Sequence, residues 1–165
     1  MGVKRRKSRK QSSTSAHYQK QLKEVTFYLE RSLGGKVIVE ALRNAGLRIE
    51  PHFKWFRGDT ADEEWLPEVG EKNWKVLMRD QRIGTRRLEL EALLAGGVQA
   101  FVLVSGSLKN ADNAAIIVKA LPKIFSMLAQ HDFPFIAKIT RQSTVKLWKF
   151  QKPRRVKNRK RVRKK

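Results

Sequence analysis

Residues 98–104 read VQAFVLV, a near-continuous apolar run of the kind carried by a strand covered on both faces. No other segment constrains the fold as tightly. Three shorter β-rich segments precede it: Val25 to Leu29, Leu47 to Pro51 and Lys75 to Met78. Two more follow, Phe135 to Thr140 and Val145 to Trp148. Helical patterns lie between them. GGKVIVEALRNAG puts Val37, Ile38, Ala41, Leu42 and Ala45 on one face, with Gly46 as its stop. Thr60 and Glu63 match an S/T-x-x-E capping box and predict a short helix over 62–72, with Pro67 awkward inside it. Thr85 is placed to cap a Leu-rich helix closed by Gly96 and Gly97, and a further helix is expected from about Asp112 to Gln130. Strand–helix alternation of this kind predicts an α/β fold with a mostly parallel sheet.

Charge divides the chain into three. Of 37 Lys and Arg, eight lie in residues 1–23 and eleven in 149–165, neither of which holds an acid. The remaining 18 face all 15 Asp and Glu, so the middle is nearly balanced although the chain carries +22 overall. This predicts a globular domain over 24–150 between two disordered basic tails, 1–23 and 151–165. A run such as RRVKNRKRVRKK binds phosphates with little sequence preference. Arg5, Arg6, Lys7, Arg154, Arg155, Arg159, Lys160, Arg161 and Arg163 are the candidate nucleic-acid contacts. No apolar run is long enough for a transmembrane helix, and no apolar segment follows the basic start as in a secretory signal, so a cytoplasmic location without membrane binding is expected.

Several chemistries are excluded. The chain has no cysteine, which removes disulfides, thiolate zinc and cysteine catalysis. The phosphate-binding P-loop, the dinucleotide fingerprint and the G-x-S-x-G elbow are absent. Acids at strand ends remain. Glu30 directly follows the first strand, Asp80 follows the third, and Asp62 and Glu63 open the helix before the third. Ligands of α/β sheets bind beyond the carboxyl ends of strands, so these acids converge if the first and third strands are neighbours. Converging carboxylates suit a hard cation such as Mg2+ or Mn2+. The same residues also suit plainer roles: helix caps for Asp62 and Glu63, and an ion pair with Arg79 or Arg82 for Asp80. In the loop after the second strand, Phe53, Trp55 and Phe56 alternate with Lys54 and Arg57, a pattern that either stacks single-stranded bases or tucks onto the core.

Three motifs carry a family resemblance: Leu29-Glu30-Arg31-Ser32-Leu33-Gly34, Asp62-Glu63-Glu64-Trp65-Leu66, and Val76-Leu77-Met78-Arg79-Asp80-Gln81-Arg82-Ile83. With FVLVSGSL at 101–108, ALPKI at 120–124, PFIAKIT at 134–140 and VKLW at 145–148, the stretch from Phe27 to Trp148 resembles a bacterial PIN-like family related to the toxin ribonucleases of toxin–antitoxin pairs. The resemblance implies a three-layer α/β/α sandwich with a short parallel sheet. It also implies a metal-dependent endoribonuclease in which Glu30, Asp62 and Asp80 hold Mg2+ or Mn2+, with Glu63 as an accessory acid. Asp112 and Asn110 are weaker additional candidates. RNA, an antitoxin protein and a second copy of the chain are the implied partners. Two positions depart from the pattern, Glu30 for the family's Asp and Met78 for its Thr. They motivate an alternative, a catalytically degenerate PIN-fold protein that binds RNA or the ribosome.

Overall fold

The computed structural model describes the backbone of residues 6–152 and side chains from residue 15 onward. Helix α1 (Arg6–Glu24) leads into β1 (Thr26–Leu29), α2 (Lys36–Asn44), β2 (Arg48–Pro51) and the single turn α3 (His52–Trp55). Then come α4 (Asp62–Glu71), β3 (Lys75–Met78), α5 (Arg87–Ala95), β4 (Gln99–Val104) and α6 (Asn110–Gln130), and β5 (Phe135–Thr140) and β6 (Val145–Phe150) close the sheet. The strand order is β2-β1-β3-β4-β5-β6. All pairs are parallel except β5–β6, which is antiparallel. The first and third strands are therefore neighbours, with Tyr28 opposite Val76.

Side chains of a strand alternate between faces, and here the alternation builds two cores. Phe27, Leu29, Leu77, Phe101, Leu103, Ala137 and Ile139 face one way, onto α2 and α6. Tyr28, Val76, Met78, Ala100, Val102 and Ile136 face the other, onto Trp65, Leu66 and Val69 of α4 and Leu93 of α5. The result is the expected three-layer sandwich. Helices α4 and α5 lie close enough that a Cβ on Gly70 would collide with the Gly96 carbonyl, so glycine is required there by contact. Helices α2, α4 and α5 end in the same way, α4 with Trp74 N–H on Val69 O at 3.2 Å, Asn73 N–H on Gly70 O at 3.0 Å and Asn73 at φ 55°. Leu47 N–H reaches Leu42 O at 3.2 Å and Gly46 N–H reaches Arg43 O at 2.9 Å, with Gly46 at φ 95°. Val98 to Leu93 and Gly97 to Leu94 repeat the pattern, with Gly97 at φ 68°.

Four local expectations are corrected. The first concerns residues 1–23, expected as a disordered tail that buries nothing. They are helical from Arg6, and the helix docks on α6 through Leu22, which is buried, and Tyr18, whose ring meets Phe125 edge-on at 5.5 Å. Burying a leucine contributes about 1.5–3 kcal/mol, enough to hold the last turns of a polar helix. Second, Val37 is 60% exposed, and Val39 is buried in its place beside Ile38 and Leu42. The two valines flank Ile38, so helical period alone does not choose between them. Third, the capping box does not form: Ala61 is the N-cap of α4, and Thr60 makes no side-chain cap. Fourth, Thr85 ends a 3-10 turn, its hydroxyl donating to Arg82 O at 3.2 Å, and α5 starts beyond Arg86.

Candidate functional site

The ends of β1 and β3 carry the same local device. Within two residues of each strand's end an acid caps a 3-10 turn. Glu30 Oε2 accepts from Ser32 N–H at 2.8 Å, and Asp80 Oδ1 accepts from Arg82 N–H at 3.0 Å. Ser32 then ties the two ends together, its hydroxyl oxygen accepting from Arg79 N–H at 2.9 Å and Asp80 N–H at 3.3 Å. Asp62, in the first turn of α4, accepts from the Trp65 indole N–H at 2.9 Å. These elements enclose a pocket of about 270 Å³ lined by Glu30, Asp62, Glu63 and Asp80 together with Arg82, Arg86 and Glu89.

Glu89 is the acid the sequence reasoning missed. It sits in the first turn of α5, and its Oε1 accepts from Arg86 at 3.0 Å. Its Oε2 is buried without a hydrogen-bond partner, alone in this respect among the described side chains. A carboxylate oxygen withdrawn from water and left unpaired is costly. The signal was available: an acid in the first turn of the helix after β3, on the scale of the same rule that selected Asp62.

The electrostatics divide the acids. Burial pushes the Glu30 carboxyl above its ordinary value, with Asp62 adding to the rise, against the hydrogen bonds of Ser32 and the charge of Arg31. Burial likewise raises Glu89, assisted by Asp62 and Glu63 and opposed by Arg86. For Asp80 partial burial works upward, but the hydrogen bonds and charge of Arg82, with Arg86 behind it, outweigh it and hold the carboxyl low. Arg82 spans both oxygens of Asp80, at 3.0 and 3.2 Å, which is the ion pair offered by the plainer sequence reading. Among the described residues no three acids or histidines close around one point at ligand distance. The guanidinium groups of Arg82 and Arg86 stand among the carboxylates instead. Asn110 packs against Gly34, and Asp112 is exposed; neither lines the pocket.

Residues 25–105 match the family model described as a PIN like domain. This segment is a PIN-like domain. No curated protein and no solved structure matches the chain. The matched residues run from β1 to the end of β4, so the PIN-like domain contains all five pocket acids, Glu89 included. Its sheet continues beyond the match through β5 and β6. No helix among the described residues is long and apolar enough to cross a membrane. Arg5, Arg154, Arg155, Arg159, Lys160, Arg161 and Arg163 lie outside the described residues, as do the side chains of Arg6 and Lys7.

Beside the acidic pocket of the PIN-like domain is a second cavity of about 580 Å³. The turn α3 and the residues after it, including Phe53, Lys54, Trp55 and Arg57, line it, and Arg31 lines both cavities. Buried His52 fixes this turn. Its Nε2 donates to the Arg57 carbonyl at 3.0 Å, and its Nδ1 accepts from Tyr28 OH at 2.5 Å. Burial, then the charge of Glu30, raises the Tyr28 phenol well above its ordinary value, so the hydroxyl keeps the proton it donates.

Proposed function

We propose that this protein is a metal-dependent endoribonuclease that hydrolyses phosphodiester bonds with Mg2+ or Mn2+, its basic ends capturing RNA. The observation that carries the reading is the unpartnered, buried Glu89 Oε2 in a pocket shared with Glu30, Asp62, Glu63 and Asp80. Glu30, Asp62, Asp80 and Glu89 line the pocket without closing on one point, and they are the carboxylates that would draw together to hold the ion, with Glu63 beside them. A bound divalent ion supplies a water of lowered pKa and neutralises charge on the reacting phosphate. The chain's own contribution is positional: Ser32 holds the Asp80 backbone beside Glu30, and Trp65 holds the carboxylate of Asp62. Arg31, Arg82 and Arg86 line the same pocket and offer donors to phosphate oxygens.

A second reading rests on a specific observation. Arg82 occupies both oxygens of Asp80, and Arg86 occupies one of Glu89, so the pocket neutralises much of its own charge. On that reading the PIN-like domain is a binding scaffold that holds RNA without turnover. One assay separates the two. Purified wild type and Asp80→Asn are incubated with labelled single-stranded RNA and Mn2+ or Mg2+, with EDTA as the control. The nuclease reading expects cutting that EDTA stops and that falls at least about 100-fold in Asp80→Asn, with RNA affinity nearly intact. Binding by wild type without any cutting would select the scaffold.

A further inference from the structure

The cavity beside the acidic pocket has a different chemistry from its neighbour. No acidic side chain lines it, whereas Arg31, Lys54 and Arg57 do. Its aromatic residues are unusually open: Phe53 is 57% exposed and Trp55 is 40% exposed. Exposed aromatics more often fold back onto a core, and Phe56 does so, packing beside Trp65 and Tyr28. Phe53 and Trp55 do not join either core.

Trp55 is nevertheless held still. Its indole N–H donates to Glu50 at 2.8 Å, its ring meets Trp74 edge-on at 5.0 Å, and the Lys72 ammonium lies 5.1 Å from its centroid. The turn beneath it is pinned by the Tyr28–His52–Arg57 chain of hydrogen bonds and by the Arg31 guanidinium on the Gly58 carbonyl. A rigid aromatic wall loses little conformational freedom when a flat ligand lies against it. The volume, about 580 Å³, suits one small-molecule-sized group.

We propose that this cavity is a subsite for one unstacked nucleotide of a single-stranded RNA, its base against Phe53 and Trp55 and its phosphate at Arg31 and Arg57. The proposal rests on the nuclease reading of the adjacent acids and extends it to the form of substrate. Arg31 is the joint between the two cavities, so a strand with one phosphodiester over the carboxylates lays its neighbouring nucleotide in the aromatic cleft. Charge favours this occupant: Arg31, Lys54 and Arg57 line the cavity with no acid among them. Although each pairs with an acid outside the lining (Glu30 at 3.5 Å, Glu50 at 3.3 Å and Asp59 at 3.4 Å), each side chain is at least half exposed and keeps donors for a phosphate. A duplex keeps its bases stacked inside and has no base to offer.

The test reads binding in EDTA, so that it is independent of cleavage. Full-length wild type, Phe53→Ala and Phe53→Tyr are titrated with a labelled single-stranded RNA and with an abasic ribose-phosphate chain of equal length. The basic ends act on both ligands alike, so the ratio of the two affinities isolates the contribution of the bases. Wild type is expected to prefer the base-bearing strand, Phe53→Ala to lose roughly 5- to 100-fold of that preference, and Phe53→Tyr to keep it. Phe53 is largely exposed, so the alanine variant removes a surface ring and leaves both cores intact. A preference unchanged in Phe53→Ala, or absent in wild type, overturns the proposal and leaves the cleft to a protein partner. Loss of cleavage in Asp80→Asn with no change in this ratio concerns the acids alone.

Discussion

On the nuclease reading, Glu89→Gln is expected to abolish metal-dependent cleavage and at the same time to raise the melting temperature of the metal-free protein. The two effects have one origin. Glu89 presents a buried carboxylate oxygen with no partner, close enough to Asp62 and Glu63 that both raise its carboxyl. An unsatisfied buried acceptor costs about 1–3 kcal/mol, and a charged one costs more. The amide removes the charge and keeps the shape, so we expect a gain of about 1 kcal/mol, or about 2–4 °C for a domain of this size. The pH dependence follows the same sign. A carboxyl whose value is raised on folding binds a proton more readily folded than unfolded. Its contribution to stability is fully present below the ordinary glutamate value of about 4.3, and it is lost as pH rises through the raised folded value. Glu30 acts in the same direction, because burial raises it also. Asp80 acts oppositely: its low folded value gives stability that is present above the ordinary aspartate value and is lost only in stronger acid. Thermal melts of metal-free wild type should therefore decline from mildly acidic to neutral pH, with a shallower decline in Glu89→Gln. Mn2+ should restore stability to wild type at neutral pH and do little for the variant. A variant that cuts RNA normally, or melts below wild type, would remove Glu89 from the site.

Trp65→Ala costs about 3–5 kcal/mol in urea unfolding, the range for truncating a large aromatic in a packed core. Trp65 is fully buried and stacks on Tyr28 with centroids 5.0 Å apart and planes 30° apart. Its loss opens the core between α4 and the sheet, where Tyr28, Val76 and Met78 also converge. The indole has a second task, because its N–H holds Asp62 Oδ1 at 2.9 Å. Trp65→Phe separates the two tasks. It keeps most of the packing and should lose about half as much stability, yet it frees the Asp62 carboxylate to rotate out of the pocket. Weaker Mn2+ affinity and about 10- to 100-fold slower cleavage are expected, the range seen when a group that orients a ligand is removed. Wild-type Mn2+ affinity in Trp65→Phe would mean that the hydrogen bond orients nothing that matters to the ion.

The sequence made the sheet legible because its strands are short apolar runs between turns, and VQAFVLV declares a central strand by composition alone. That Glu30, Asp62 and Asp80 line one pocket was legible because strand ends and helix starts are where an α/β sheet places its ligand-facing side chains. Glu89 satisfies the same rule in the first turn of α5, but it lies in a stretch whose leucines draw attention to packing. The part played by Ser32 was not readable either, since its partners Arg79 and Asp80 are 47 and 48 residues away and meet it only once β1 and β3 pair. Helix starts failed for a related reason. Thr60 and Thr85 fit a capping pattern in one dimension, but the turns before them set where the backbone can enter the helix. The basic start of the chain was read by its charge, and the apolar pair Tyr18 and Leu22, four residues apart, was the signal for a docked helix.

The two rims of the sheet share a property. The outer strand β2 carries exposed Arg48 and ends in Pro51, and the outer strand β6 carries Lys146 and Lys149 among its apolar residues. Prolines and lysines on an open strand discourage a second chain from pairing along it. Where copies of so cationic a protein crowd together, these rims give them no template for fibre growth.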